Sequence, residues 1–367
     1  MEQDNELFES APNFSEGRRT DVIEAIAAAA SPAFLLDADA DPDHNRAVVS
    51  VAGFRARLVD GLVAAVATAV ERIDLREHRG VHPRVGAADV VPIVPLGSSS
   101  LDACRDVAHE VGRRIWSELS VPVYFYGHGE QHRLADIRAG RASLDLGSSP
   151  HPTAGAVCVG ARPLLVAFNL ILYDIDIVSA RALARAIRET AAGLRGVQAL
   201  AFELPGNRVQ LSMNLFRTDE TTPSDVVAEL RRRGVSMGAE QIVGLCPAVA
   251  ASPAADGRLL EGRLASAAAA DGARRCRERG GEELDALAVR LEREAAGLAG
   301  LAADQDAILA GAERAAALIE VLRAAQVLDP ELEAMLRAAA RGLRAAVSDA
   351  TAAVYRARID ALDARLV

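Results

Sequence analysis

The chain has 367 residues, half of them hydrophobic, and a formal net charge of −10. That length suits two or three domains with sizeable cores, and the acidic balance argues against a nucleic-acid partner, which needs a basic footprint. All 41 basic side chains are arginine, so a Schiff-base lysine and pyridoxal phosphate chemistry are excluded.

The first ten residues are acidic and lack the apolar run of a signal peptide. No window approaches a membrane span, and we expect a cytoplasmic protein with no membrane partner. Leu7–Pro12 is a short strand and Thr20–Ala30 has helical composition. Ala33–Asp39 and Arg46–Ala52 are strands on either side of the turn Asp41-Pro42-Asp43-His44-Asn45. Phe54–Ile73 carries a helical stripe of Leu58, Leu62, Val66 and Val70, and Asp89–Val94 is a strand. The order is β-α-β-β-α-β. It returns as Leu164–Leu172, Val178–Gly193, Val197–Glu203, Arg208–Leu215, Pro223–Arg233 and Val235–Leu245. Two such units predict an α+β protein of tandem ferredoxin-like subdomains. Between them, residues 98–160 hold a helix (Leu101–Leu119), a strand (Val121–Tyr126) and a loop.

After Pro253 strand signals vanish. Leu284, Leu291, Leu298, Gln305, Ala312 and Ile319 recur every seven residues, with Leu287, Leu301, Ile308, Ala315 and Leu322 in the companion register. Asp329-Pro330 reads as a helix start. The pattern predicts a helical hairpin tail, two long helices over 282–325 and 331–366, with apolar heptads suited to a homodimer. The expected domains are 1–160, 161–253 and 254–367.

From residue 78 the chain reads His78-Arg79-Gly80-Val81-His82-Pro83-Arg84-Val85-Gly86-Ala87-Ala88-Asp89. Imidazole titrates nearest neutrality and suits acid–base work, and loops on a rigid scaffold commonly carry catalytic groups. This stretch is where chemistry is expected. Cys104, Cys158, Cys246 and Cys276 share no CxxC spacing, and the histidines no HExxH spacing, so neither zinc, another metal nor a disulfide framework is expected.

Glu9-Ser10-Ala11-Pro12-Asn13-Phe14-Ser15-Glu16-Gly17-Arg18 opens a series of collinear motifs. Leu35-Leu36-Asp37, Asp43-His44-Asn45-Arg46 and the 78–95 stretch follow, then Val121–Gly127 and Ile137-Arg138-Ala139-Gly140. His151-Pro152-Thr153-Ala154-Gly155-Ala156, Ala167-Phe168-Asn169, Gln210–Leu215 and Ile242-Val243-Gly244-Leu245 complete it. In these motifs, over about residues 6–250, the chain resembles glutamate formimidoyltransferase, which also forms the first half of formimidoyltransferase–cyclodeaminase.

The resemblance implies a one-carbon transferase of histidine degradation. It moves a formimidoyl group from N-formimidoyl-L-glutamate to N5 of tetrahydrofolate, a folate co-substrate bound between two ferredoxin-like subdomains. His82 matches the catalytic histidine, a general base of the kind typically contributing about 10²–10⁴-fold. Asp39, at a strand end, is either its orienting carboxylate or a turn former. His78 either lines the site or is a structural hydrogen bonder. Asn13, Arg46 and Arg84 are candidate ligand groups, since guanidinium forks bind carboxylates. Thr153 and Gly155 lie in a small-residue run that a flat pterin could approach.

Three departures stand out: a shortened segment 141–149 that keeps only Asp145-Leu146-Gly147 of a folate-holding loop, Asn169-Leu170-Ile171 in place of Asn-x-Asn, and Glu240 before Val243-Gly244-Leu245. Gly147 stays a folate-binding candidate. The tail lacks the cyclodeaminase opening motif. Formyl transfer from N-formylglutamate, another amidine donor, and a catalytically weakened folate-binding scaffold are the alternatives.

Overall fold

The structure, a computed structural model, describes residues 6–80 and 83–366. The chain divides between Leu164 and Leu165 into two compact units.

The first unit runs β1 (Leu7–Ser10), β2 (Asn13–Phe14), α1 (Thr20–Ala29), β3 (Phe34–Asp41), β4 (Arg46–Phe54), α2 (Arg55–Arg72), β5 (Ala88–Pro95), α3 (Leu101–Leu119), β6 (Val123–Gly127), α4 (Leu134–Arg138) and β7 (Val157–Ala161). β1 and β2 both lie between β4 and β5. They form one strand position interrupted at Pro12, which has no N–H to give a ladder. Across the sheet the order is β3, β4, β1 with β2, β5, β7, β6. The first four positions pair antiparallel in the ferredoxin-like order predicted for the first repeat. β7 and β6 extend the sheet in parallel from β5. β7 was not predicted as a strand: its run Val157-Cys158-Val159 is wholly buried, so it has none of the alternation by which a one-sided strand is recognised.

One face of this sheet is covered by α1, α2 and α3, with Phe8, Val49, Val51, Leu58, Leu62, Val91 and Val159 in the shared core. Successive side chains of a strand point to opposite faces. Cross-strand pairing therefore puts Glu9, Asn13, Asp39, Arg46, Ser50, Val90 and Tyr126 on the other face. There α4 packs through Ile137 onto Val90, Tyr126 and Cys158.

The second unit begins with β8 (Val166–Tyr173), α5 (Ile177–Ala186), β9 (Val197–Leu204), β10 (Arg208–Leu215), α6 (Pro223–Arg232) and β11 (Ser236–Val243). Its antiparallel order is β11-β8-β10-β9, the ferredoxin-like order again. α5 stops seven residues before the expected Gly193, because Ile187 turns into the core at 0% exposure. α6 begins where its residues dictate: Thr222 and Asp225 close a reciprocal capping box and Pro223 takes the first helical position.

The helices α7 (Leu260–Arg279), α8 (Glu282–Ala299), α9 (Gln305–Ala324), α10 (Pro330–Ala346), α11 (Asp349–Val354) and α12 (Arg356–Leu366) belong to the same unit. The two long helices expected over 282–325 and 331–366 are therefore several shorter ones. Gly300 ends α8, and Asp304 restarts the chain by accepting the Ala307 N–H at 2.9 Å. Ser348 does the same for α11 through Thr351 N–H. The heptad pattern ran through the first break because Leu291, Leu298, Ile308, Ala315 and Leu322 all face the chain's own bundle core. Leu284 and Leu287, which open that seam, are only partly buried. α7 packs on α8 and α10, and α10 on α9. Backbone hydrogen bonds Cys246 N–H to Arg258 O and Leu260 N–H to Cys246 O, both 2.9 Å, join this bundle to the turn after β11. No described helix is long and apolar enough to cross a membrane.

Candidate functional site

Three segments of the first unit are nested around Asn45, in the turn between β3 and β4. Asn45 has φ 49°, a left-handed conformation that asparagine tolerates better than most residues. Its Oδ1 accepts the Gly17 N–H at 2.9 Å, its Nδ2 donates to Arg79 O at 3.0 Å, and its own carbonyl accepts from His78 Nε2 at 2.9 Å. The Asn13–Gly17 turn can close this tightly only because residue 17 is glycine. A Cβ there would lie 2.4 Å from both Arg46 N and Asp41 O.

His78 uses both ring nitrogens. Nε2 donates to Asn45, and Nδ1 accepts from Arg84 Nη1 in a short contact. Arg84 Nη2 also donates to Gly80 O at 2.7 Å. Burial pushes the His78 pKa down, and the Arg84 charge adds to the shift. The neutral ring is the form that can accept from a guanidinium, so geometry and titration agree. Val81 and His82 lie outside the described residues.

The far side of this loop rests on the turn that holds Thr153 and Gly155. Leu75 N–H donates to Thr153 O at 2.8 Å and Ala156 N–H to Val85 O at 3.2 Å. Gly155 has φ +69°, and a Cβ on it would lie 2.3 Å from Val85 O. His151 Nδ1 accepts the Ala154 N–H at 3.1 Å and so ties up the turn from inside.

Arg46 opens β4 opposite Asp41. Burial pulls its pKa down to about 10, opposed by the charge of Asp89. Asp39 and Asn13 flank Val48 from its two sides, on the sheet face that carries no long helix. Asn13 Nδ2 donates to Ala11 O at 2.9 Å. Gly147 stands elsewhere: it lies beside Pro122 and Trp116, next to β6 at the edge of the sheet. Asp145, in the same short segment, accepts the Phe125 N–H at 2.7 Å.

Sequence reasoning gave no role to several groups the structure puts forward. Asn45 and Asp89 carry the bonds that assemble the loop. Glu9 is 7% exposed on the same sheet face, and burial raises its pKa to about 7 against the pull of Arg162. The Ser50 hydroxyl is buried there without a hydrogen-bond partner among the described residues, and the Tyr126 hydroxyl is buried near Arg162. The alternation of Glu9 with core residues Phe8 and Ser10 was the available signal, but only pairing shows which face is which. Among the described residues no group of three or more His, Cys, Asp or Glu side chains is placed to hold a metal ion.

In the second unit, the sheet face away from the Phe168–Leu170 core carries amides. Asn169 and Gln210 are buried, and Asn169 Nδ2 donates to Gln241 Oε1 at 3.3 Å. Glu240 pairs with Leu170 and points the other way. It lines a cavity of about 330 Å³ with Ser224, Val227 and Arg231 of α6, so that departure leaves the amide row untouched.

Residues 7–162 match the family model described as formiminotransferase domain, N-terminal subdomain. The chain is 37% identical over 267 residues to the glutamate formimidoyltransferase of Thermoplasma acidophilum, covering 66% of this chain and 88% of that protein. It is 34% identical over 273 residues to the glutamate formimidoyltransferase of Streptococcus pyogenes serotype M1, covering 66% and 90%. With the formimidoyltransferase-cyclodeaminase of Rattus norvegicus the identity is 37% over 274 residues, and the chain spans 50% of that protein.

Proposed function

Because this chain belongs to the glutamate formimidoyltransferase family, we propose that it moves the formimidoyl group of N-formimidoyl-L-glutamate to N5 of tetrahydrofolate, late in histidine breakdown. The tetrahydrofolate is a co-substrate, and both partners of the reaction are small molecules. N5 attacks the amidine carbon and a new N5–C bond forms. His82 takes the N5 proton as the tetrahedral adduct develops. The adduct collapses with cleavage of the bond from carbon to the glutamate nitrogen, and His82 returns a proton to that nitrogen. One imidazole serves both steps because its ordinary pKa lies near the working pH.

The observation that carries this reading is identity above a third across 88% of a glutamate formimidoyltransferase. The loop geometry supports it. His78, on the Asn45 carbonyl, gives its second nitrogen to Arg84, and His82 is the residue that matches the catalytic histidine of the family. Arg84 and Arg46 are the groups we assign to the carboxylates of the two glutamyl moieties, since a guanidinium fork matches a carboxylate in shape and charge. Asp39 is assigned the orientation of the His82 ring, and Asn13, Thr153 and Gly155 the folate side.

Calorimetric titration of the purified protein tests the reading. Tetrahydrofolate and N-formimidoyl-L-glutamate should each bind, and Arg84→Gln should weaken the carboxylate-bearing ligand. Binding of neither ligand overturns it. Binding of folate with turnover of N-formyl-L-glutamate alone replaces it by formyl transfer.

A further inference from the structure

Asp89 is the second residue of β5 and is 3% exposed. A charge so placed is tolerated only when it is paired and hydrogen-bonded. Its two oxygens divide the task. Oδ1 accepts the Val85 N–H, from the loop that starts at His78. Oδ2 accepts from Arg138 Nη2 of α4 at 2.9 Å. The same charge acts on two more guanidiniums, Arg46 at the start of β4 and Arg84 in the loop. One buried carboxylate therefore faces arginines from three separate segments, and two of those arginines are the ones assigned above to substrate carboxylates.

We propose that Asp89 is a positioning residue for formimidoyl transfer: by joining the Val85 N–H to Arg138 it clamps the 83–85 end of the loop to α4 and so holds Arg84 in place. This rests on the transfer reading above. Without that carboxylate the three like charges repel, Val85 loses a charged acceptor, and Arg84 shifts away from the geometry that its bonds to His78 and Gly80 define.

The test compares steady-state kinetics of the full chain with Asp89→Asn, Arg138→Gln and the double variant. Asp89→Asn keeps shape and an acceptor for Val85 but removes the charge. Its kcat should fall between about tenfold and a hundredfold, the range a misplacement near 1 Å produces. Removing Arg138 as well should recover part of the loss, since it restores the charge balance. A purely structural role would lower the melting temperature and leave kcat per folded molecule unchanged. If Asp89→Asn does not fold, Arg138→Gln alone should lower kcat and Arg138→Lys should partly rescue it. Folded Asp89→Asn, or Arg138→Gln in its place, with kcat within twofold of wild type overturns the proposal while the transfer reading stands. A wild-type protein that transfers nothing overturns both.

Discussion

Replacing Asn45 by alanine should loosen the first unit more than any other single change in a surface turn. The side chain satisfies the Gly17 N–H and the Arg79 carbonyl at 2.9 and 3.0 Å, and the residue is 8% exposed at φ 49°. A buried donor left without its acceptor costs roughly 1–3 kcal/mol, and a lost hydrogen bond to a better-solvated carbonyl about 1 kcal/mol. Alanine in the left-handed region adds about 1 kcal/mol. The sum is about 4 kcal/mol, or a fall of roughly 8–16 °C in melting temperature for a unit of this size. Asn45→Gly should recover the conformational part alone. Asn45→Asp should keep the Gly17 bond and lose the one to Arg79. Urea unfolding of the three variants reads these steps, and the order Asp, Gly, Ala of increasing damage is expected. An Asn45→Ala protein within about 0.5 kcal/mol of wild type would refute the reasoning, because it would mean that the three segments do not hang on this side chain.

Three further outcomes are expected. The raised pKa of Glu9, about 7, means that the folded chain protonates it while the unfolded chain ionises it near 4.5. Its contribution is therefore full below about 4.5 and lost as pH rises through about 7, so Glu9→Gln should stabilise at pH 8 by on the order of 3 kcal/mol and leave pH 4 stability unchanged; equal effects at both pH values would refute this. His78 has a depressed pKa, so its contribution is present above the ordinary 6.5 and is lost as pH falls through the lower folded value; an NMR titration midpoint at or above 6.5 contradicts the bonding described. Truncation after Pro253 removes Arg258, Leu260 and Glu261, which hold the 246–248 turn by three hydrogen bonds of 2.9 Å. The second unit should then lose cooperative unfolding, and a truncated chain with an unchanged transition would contradict its being one body with the bundle.

Both ferredoxin-like repeats were legible because their strands alternate and their helices carry 3.6-residue stripes. What escaped was of two kinds. Elements buried on both sides, such as β7, show no alternation, and the strand position expected to end at Pro12 resumes beyond it as Asn13–Phe14. The helix break between Gly300 and Asp304 was written in cap residues, but the apolar repeat crosses it in register because α8 and α9 fill one core. At the site, the residues singled out by motif, His78, Arg84, Thr153 and Gly155, lie on segments that touch. Asn45 and Asp89 are joined to Gly17 and Arg138, 28 and 49 positions away in sequence. Such pairings depend on tertiary register, which one sequence does not display. Gly147 was singled out from a three-residue remnant, and it lies beside Trp116 and Pro122.

The most direct test of the account is transfer itself. Purified full-length protein is incubated with tetrahydrofolate and N-formimidoyl-L-glutamate carrying ¹³C in the formimidoyl carbon, and the products are followed by NMR. The account predicts that the label appears on N5 of the folate, that one free glutamate is released for each label transferred, and that His82→Ala lowers the rate by at least about 10² while folate still binds. Labelled carbon that remains on glutamate in the presence of bound folate, or a His82→Ala protein with near-native turnover, would contradict it.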